Sequence, residues 1–239
     1  MYKKILTLIA LIGLVCNASF AQKNSLSAAE KADGWYLLFD GKTTNGWHIY
    51  NEGDVASAWI VADEELYCNP DTFDVVHGDL VTDEIYENFD LKFEWKITTG
   101  GNSGVFYNVT ESEDYPRAWT TGPEYQLLDN LGIYKEYLDN KTHWCGTLYG
   151  IHPSLNVVAY RPAGEWNESE IKQEDGVVTY WLNGVKTAEQ QLYGTDWEAL
   201  VAKSSFKNFA DYGKTTKGHI ALQDWSKGVT FRNIKIKEL

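Results

Sequence analysis

The segment TGPEYQLLDN, residues 121–130, sets Glu124, Gln126, Asp129 and Asn130 among apolar neighbours. Glu124 and Gln126 are two apart, so on a strand both side chains project to one face. A carboxylate beside a carboxamide can move a proton and orient a polar ligand, which is what general acid–base chemistry requires. A one-residue bulge after Gln126 would bring Asp129 onto the same face. Histidine is the other side chain suited to proton exchange near neutrality, and there are five: His48, His77, His143, His152 and His219. His143, in KTHWCGTLYG, follows soon after the Glu124 strand and is the expected acid–base partner; His152, in GIHPS, is the next candidate.

Binding groups are expected around these. Asn102, in TGGNSGVFY, precedes a strand that should neighbour the Glu124 strand, where its amide could hydrogen-bond sugar hydroxyls. Its Gly-Asn-Ser-Gly setting also makes a turn by itself. RPAGEWNESEI places Arg161, Trp166 and Asn167 on a loop, where ligand contacts concentrate. Trp47, Trp119, Trp144 and Trp166 offer flat faces on which a sugar ring could stack, or could fill a core. There is no HxH, HExxH or CxxC to hold zinc and no GxSxG elbow for a nucleophilic serine. A calcium ion held by Asp and backbone carbonyls, or another divalent cation, is what such a chain could carry.

The elements that must position these residues read as β. Short runs rich in Val, Ile, Tyr, Phe and Trp alternate with Gly, Asn, Asp and Ser clusters. WYLLFD and WHIY flank the turn GKTTNG, and AWIVADEELYCN reads as two strands about Asp63-Glu64. Leu91, Phe93, Trp95 and Ile97 alternate with Lys92, Glu94 and Lys96, the pattern of a half-buried strand. SGVFYNV, PEYQLLD, GTLYGIHP and NVVAYRP read as further strands. IKQEDGVVTYWLNGVKTAEQ reads as a meander with turns at Asp175-Gly176 and Asn183-Gly184. A short lead-in helix is expected over 25–34, and a helix over 196–214 with Trp197, Leu200, Val201 and Phe206 on one side. The chain should end in two strands around Ser226-Lys227-Gly228. The expected fold is all-β: two antiparallel sheets in a jelly-roll sandwich.

Lys3 and Lys4, the apolar run 5–15 and the small residues of Ala18-Ser19-Phe20-Ala21 have the form of a secretory signal peptide, residues 1–21. Its apolar run is too short for a membrane span, which needs about 20 residues. Val15 before Cys16 is too bulky for the usual lipid-anchor site, so cleavage after Ala21 is expected, leaving residues 22–239 as one domain destined for the periplasm or the exterior. Losing Lys3 and Lys4 lowers Lys+Arg from 21 to 19 against 34 Asp+Glu, so the net charge falls from −13 to −15. That much negative charge argues against nucleic acid and anionic membranes as partners and suits a neutral ligand. Cys68 and Cys145 could form one disulfide or stay as two buried thiols. All ten Trp and most of the fifteen Tyr lie beyond the leader, and such side chains suit sugar rings as well as cores.

LFDGKTTNGWH, GNSGVFYNV, GPEYQLLDN, GTLYG, RPAGEWNESEI, WLNGV and GHIALQD…VTFRNIKIKEL occur in one order from about residue 35 to the end. In that order they resemble the 3-keto-disaccharide hydrolase domain family. The resemblance implies a concanavalin-like jelly roll and cleavage of glycosides whose glucose ring carries a ketone at C3. A ketone there acidifies the C2 hydrogen, so a base removes it, the enolate expels the C1 substituent, and water adds back. The chemistry needs a base, an acid and donors for the enolate, and no nucleophile. One departure stands out: LQDWSKG places Trp225 where many members read LQDHG, so a role for that histidine does not carry over.

The spacing of Glu124, Gln126 and Asp129 also matches the E-x-D-x-x-E strand of laminarinase-like retaining glucanases, but with Gln in the middle and a shorter Asp last. Three readings follow. The first is a 3-keto-glucoside-cleaving enzyme with Glu124, His143 and Asp129 in acid–base roles and Asn102, Gln126, Arg161, Trp166, Trp47 and His152 around the sugar. The second is a noncatalytic carbohydrate-binding sandwich, and the third a hydrolase of unmodified β-glucans.

Overall fold

The computed structural model describes residues 23–133 and 139–239; the expected leader, with Cys16, lies outside them. Among the described residues the strands are β1 (Tyr36–Leu37), β2 (Trp47–Ile49), β3 (Trp59–Ala62), β4 (Glu65–Cys68), β5 (Leu80–Thr82), β6 (Phe89–Ile97), β7 (Asn102–Val109), β8 (Glu124–Leu128), β9 (Asn167–Glu174), β10 (Val177–Leu182), β11 (Val185–Gln191), β12 (His219–Leu222) and β13 (Val229–Glu238). They form two antiparallel sheets. The larger runs β11-β10-β9-β6-β13-β4-β3, with β1 also paired to β13; the smaller runs β2-β5-β12-β7-β8. This is a jelly-roll sandwich, as the strand spacing predicted.

The alternation read in β6 is realised: Phe89, Leu91, Phe93, Trp95 and Ile97 are buried and the residues between them are partly exposed. They meet Val105, Tyr107, Tyr125 and Leu127 from the smaller sheet to form the main core. The tight turns fall where expected. Asp63-Glu64, Asp175-Gly176 and Asn183-Gly184 all take positive φ at both positions, the backbone of a two-residue hairpin turn. Cys68 and Cys145 are both buried free thiols, so no disulfide joins them.

Three expectations need correction. The lead-in helix is shorter, α1 (Ala28–Ala32), set by a capping box between Ser27 and Glu30. The second helix, α2 (Gly194–Lys203), stops ten residues or so early. Ser204 ends it by donating to the Val201 carbonyl (2.8 Å) and accepting from Phe206 N–H (3.0 Å), which starts a separate 3₁₀ turn, Ser205–Asn208. Phe206 therefore points off a different element from Trp197.

GTLYG and NVVAYRP are loop rather than strand. Gly146 and Gly150 take positive φ, so the segment kinks at both ends. Between the kinks it still covers the open edge of β8. Gln126 N–H donates to the Thr147 carbonyl (3.1 Å), Gly146 N–H to the Gln126 carbonyl (2.8 Å) and Tyr149 N–H to the Glu124 carbonyl (3.0 Å). An edge so paired is closed to other chains. The last two strands flank Ser226-Lys227-Gly228 as expected, with Lys227 at positive φ; β12 and β13 belong to opposite sheets, and residues 223–228 cross between them.

Candidate active site

Period-2 geometry and register assemble the site on the face of the smaller sheet turned away from the core. Paired residues share a face. Val81 pairs with Ala221, Ala221 with Phe106, and Phe106 with Glu124. Carrying the same register two pairs further, back onto the same face, gives the row Asp79, Gln223, Gly104, Gln126. Gly104 does pair with Gln126, and Gln223 N–H donates to the Gly104 carbonyl (2.9 Å). The row runs as a polar strip across the outer face of β8 and β7 and the ends of β12 and β5, bordered by the apolar cluster of Val81, Phe106 and Ala221.

Gly104 is the gap in that strip. A methyl group there would lie 2.1 Å from Glu124 Oε1 and 2.8 Å from Glu124 Cδ and Cγ. The Glu124 side chain, from the first residue of β8, lies across the glycine. Gln126 holds it there. The carboxamide is best satisfied with its nitrogen donating to Glu124 Oε1 (3.1 Å) and to the Ser103 carbonyl (3.0 Å).

Above the strip is a cleft of about 360 Å³ lined by Asn102, Trp119, Glu124, Gln126, Tyr149, Ser205, Phe206, Phe209, Gln223 and Trp225. That volume lies within the range of small-molecule sites. Phe206 is supplied by the 3₁₀ turn after α2 and is backed by Tyr212, their rings parallel at 4.0 Å. Trp119 meets Phe209 edge-on at 5.0 Å. Trp225 stands at the rim, 58% exposed. The cleft continues past Trp119, Gln223 and Trp225 into a second lobe, which adds His77, Asp79, Arg117 and Asp224.

Two carboxylic acids face this space with altered acidities. Glu124 is 5% exposed; burial, and then the charge of Asp79, hold its carboxyl well above the ordinary range. Burial pushes Asp79 up to about 7. The N–H of Asp224 (3.1 Å to Oδ1) pulls it down, the Asp224 carboxylate pushes it up, and the Arg117 guanidinium pulls it down again. Asp224 is itself engaged by His77 Nδ1 (3.0 Å) and Gly78 N–H (3.2 Å). Two buried carboxyls in one cleft, both shifted upward by burial, mark a candidate acid–base site. Gln223 is 7% exposed, and its Oε1 has no hydrogen-bond partner among the described residues.

Of the residues the sequence singled out, Glu124, Gln126 and Asn102 line the cleft. His143 stands behind Tyr149, its ring stacked at 4.6 Å; its Nε2 lies 3.1 Å from Asn140 Nδ2, and burial lowers its pKa. No bulge follows Gln126, since β7 and β8 pair without a register shift from Glu124 to Leu128. Asp129 instead accepts from Gly100 N–H (2.9 Å) and Leu131 N–H (3.2 Å), which fixes a loop. His152 sits by Gln190 Oε1 at 2.9 Å.

Trp47 is a core residue, 4% exposed, donating to the Leu38 carbonyl. Arg161 and Trp166 lie by the larger sheet in a separate groove with Glu94 and Arg232. There the Trp166 ring is gripped by Arg232 (3.9 Å) and Lys96 (4.6 Å). For the calcium ion, no three His, Cys, Asp or Glu side chains converge among the described residues. No helix among them is long and apolar enough to cross a membrane.

Asp79, Gln223 and Phe206 were missed. Asp79 sits in HGDLVT and Gln223 in ALQDW, strand ends without a local signal; only the cross-strand register brings them to Glu124. Trp225 had been noted for the histidine it replaces, not as a wall of the cleft.

The sequence matches the model of the 3-keto-α-glucoside-1,2-lyase-like domain over residues 34–237. A 3-keto-disaccharide hydrolase from Bacteroides thetaiotaomicron is 32% identical over 243 residues, covering 92% of this chain and 83% of that protein. Two crystal structures from Parabacteroides distasonis, both described as candidate glycosyl hydrolases, share the architecture. One has a TM-score of 0.82 at 37% identity, covering 91% of this chain and 100% of the other. The second has a TM-score of 0.64 at 26% identity, covering 86% and 99%.

Proposed function

We propose that this chain, which belongs to the 3-keto-α-glucoside-1,2-lyase-like family, is a glycoside-cleaving enzyme that acts on glucosides carrying a ketone at C3. The observation that carries the reading is the pair of buried carboxyl groups on one strip, Glu124 held by burial well above the ordinary carboxylate range and Asp79 titrating at about 7. Such a pair supplies an acid and a base at once.

Asp79 takes the C2 proton, which the neighbouring ketone has acidified. The electron pair of the C2–H bond becomes the enolate across C2 and C3, then re-forms the C3 carbonyl as the C1–O bond breaks. Glu124 gives its proton to the departing oxygen. Water then adds across the C1–C2 double bond, hydroxyl to C1 and hydrogen to C2, and the keto sugar is released. The Asn102 amide faces the cleft where it could support the enolate oxygen, and Gln126 keeps Glu124 aimed. Two inter-strand spacings, about 10 Å at the backbone, separate Asp79 from Gly104, over which Glu124 lies. A sugar ring fits between them, with Trp119 and Trp225 as stacking faces.

The test is leaving-group release from a glucoside and from its 3-keto counterpart, with C2–H exchange followed in heavy water. Release from the keto form alone, with exchange at C2, is expected. Release from the plain glucoside would make the chain an ordinary glycosidase, and binding to both without turnover a carbohydrate-binding sandwich. The same proposal includes export: the exported protein should begin at Gln22, and an N-terminus at Met1 would overturn that part.

A further inference from the structure

Glu124 and Asp79 border different parts of the cleft. Glu124 lines the first lobe and not the second, Asp79 the second and not the first, while Trp119 and Trp225 line both. The walls also differ in kind. Among the described residues the second lobe gathers His77, Asp79, Arg117 and Asp224, donors and acceptors that suit a ring crowded with hydroxyls. In the first lobe Glu124 is the sole acidic or basic side chain.

The rest of that first lobe is largely aromatic: Trp119, Tyr149, Phe206 and Phe209. Trp119, Tyr149 and Phe209 are partly exposed, so their rings are open to a ligand. They are also braced. Trp119 meets Phe209 edge-on at 5.0 Å, Tyr149 meets Phe206 at 6.3 Å, and Phe206 lies parallel on Tyr212 at 4.0 Å. Phe206 and Phe209 come from one segment, where Phe209 N–H donates to the Phe206 carbonyl (2.9 Å). That segment lies outside both sheets, so the apolar wall is built separately from the strands that carry the carboxyls.

The two contrasts agree on an orientation. In the reaction proposed above, Asp79 takes the C2 hydrogen and Glu124 protonates the departing oxygen. The keto ring then sits at the junction with its hydroxyls towards the second lobe, and the group leaving C1 extends into the first. Resting on that function, we infer that the first lobe is the subsite for the departing group and that it selects a flat apolar ring, a phenol or an arylalkyl alcohol, over a second sugar. An aromatic ring against Trp119, Tyr149 and Phe209 leaves water without giving up hydrogen bonds. A sugar there would turn most of its hydroxyls to carbon, which is costly.

The experiment measures kcat/KM of wild-type protein on the 3-keto-glucosides, in both anomeric forms, of ethanol, 2-phenylethanol and glucose. All three leave as aliphatic alcohols, so the comparison reads the subsite and not the leaving group. The 2-phenylethyl compound should exceed the ethyl one by roughly tenfold or more, the worth of burying one aromatic ring. It should exceed the glucosyl one as well. Phe209→Ala should bring the ratio of 2-phenylethyl to ethyl close to one, and Arg117→Ala, in the other lobe, should leave that ratio as in wild type.

Equal turnover of the ethyl and 2-phenylethyl compounds by wild type, or a glucosyl compound cleaved as well as the 2-phenylethyl one, would overturn the inference and leave the proposed function standing. So would an unchanged ratio in Phe209→Ala, or a ratio that collapsed in Arg117→Ala instead, which would put the departing group in the second lobe. If none of the keto compounds is cleaved, the proposed function fails first, and this subsite falls with it.

Discussion

Gly104 and Glu124 share one space: the carboxyl of Glu124 lies where any side chain at residue 104 would be, with only 2.1 Å between Glu124 Oε1 and the position of a Cβ. The glycine is required by room and not by backbone angle, since its φ is outside the left-handed region. Gly104→Ala should leave the fold intact and displace Glu124. A loss of about 100-fold or more in kcat is expected, in line with removal of an acid–base group. Steady-state kinetics beside a far-UV spectrum would check it, and a fully active Gly104→Ala would remove the overlap from the account.

The pH profile should carry both carboxyls. Asp79 acts ionised, so kcat/KM should rise with pH through about 7. Glu124 acts protonated, so activity should fall only well above the ordinary carboxylate range, where it finally ionises. Asp79→Asn should remove the acidic limb, and Glu124→Gln the alkaline one, each at a cost of about 10²–10⁴ in rate. A Glu124→Gln variant of full activity would take Glu124 out of the mechanism.

Asp79 should also weaken the fold. Its carboxyl titrates at 3.8 in the unfolded chain and at about 7 in the folded one, so the folded state holds the proton more tightly. Stability is full below about pH 4 and is lost as pH rises towards 7, by about 3–5 kcal/mol at about 1.4 kcal/mol per unit. Asp79→Asn should therefore raise the melting temperature clearly at pH 8 and little at pH 4. Thermal denaturation at the two values is the check; an unchanged difference between them would contradict the burial argument.

Trp225 is more than half exposed and lines both lobes. Trp225→Ala should raise KM by about 3- to 10-fold, the worth of one aromatic face, with kcat and melting temperature nearly unchanged.

Trp166 predicts the reverse. Its ring is held between Arg232 and Lys96 in a groove away from the cleft. Trp166→Ala should cost about 1–2 kcal/mol of stability from lost cation–π contact and leave kcat/KM within twofold. Arg161→Ala should likewise leave turnover unchanged. A tenfold loss of kcat/KM in either would return this groove to the substrate path.

The strands were legible because burial imposes a local period. β6 shows it in every second residue, and the turns at Asp175-Gly176 and Asn183-Gly184 were legible from residue types that tolerate positive φ. Glu124 and Gln126 were legible for the same reason: two positions apart on one strand is one face in any register. GTLYG was misread because two glycines bend a segment whose apolar content resembles a strand. The extent of α2 was misread because Ser204, a capping residue, looked like one more turn of an amphipathic run. His143, Arg161 and Trp47 had suitable chemistry, but nothing local reveals which layer of the molecule a side chain will occupy.

The sequence by itself determined the all-β class, the family resemblance and the carboxylate–amide pair on β8, since each rests on local period, turn chemistry or motif order. Only the tertiary structure decided that Asp79, Gln223, Gly104 and Gln126 form one row. Those residues come from four separate segments, and their meeting depends on strand order and register. These are set by core packing across the whole sandwich, and the residues that form the row carry no trace of it.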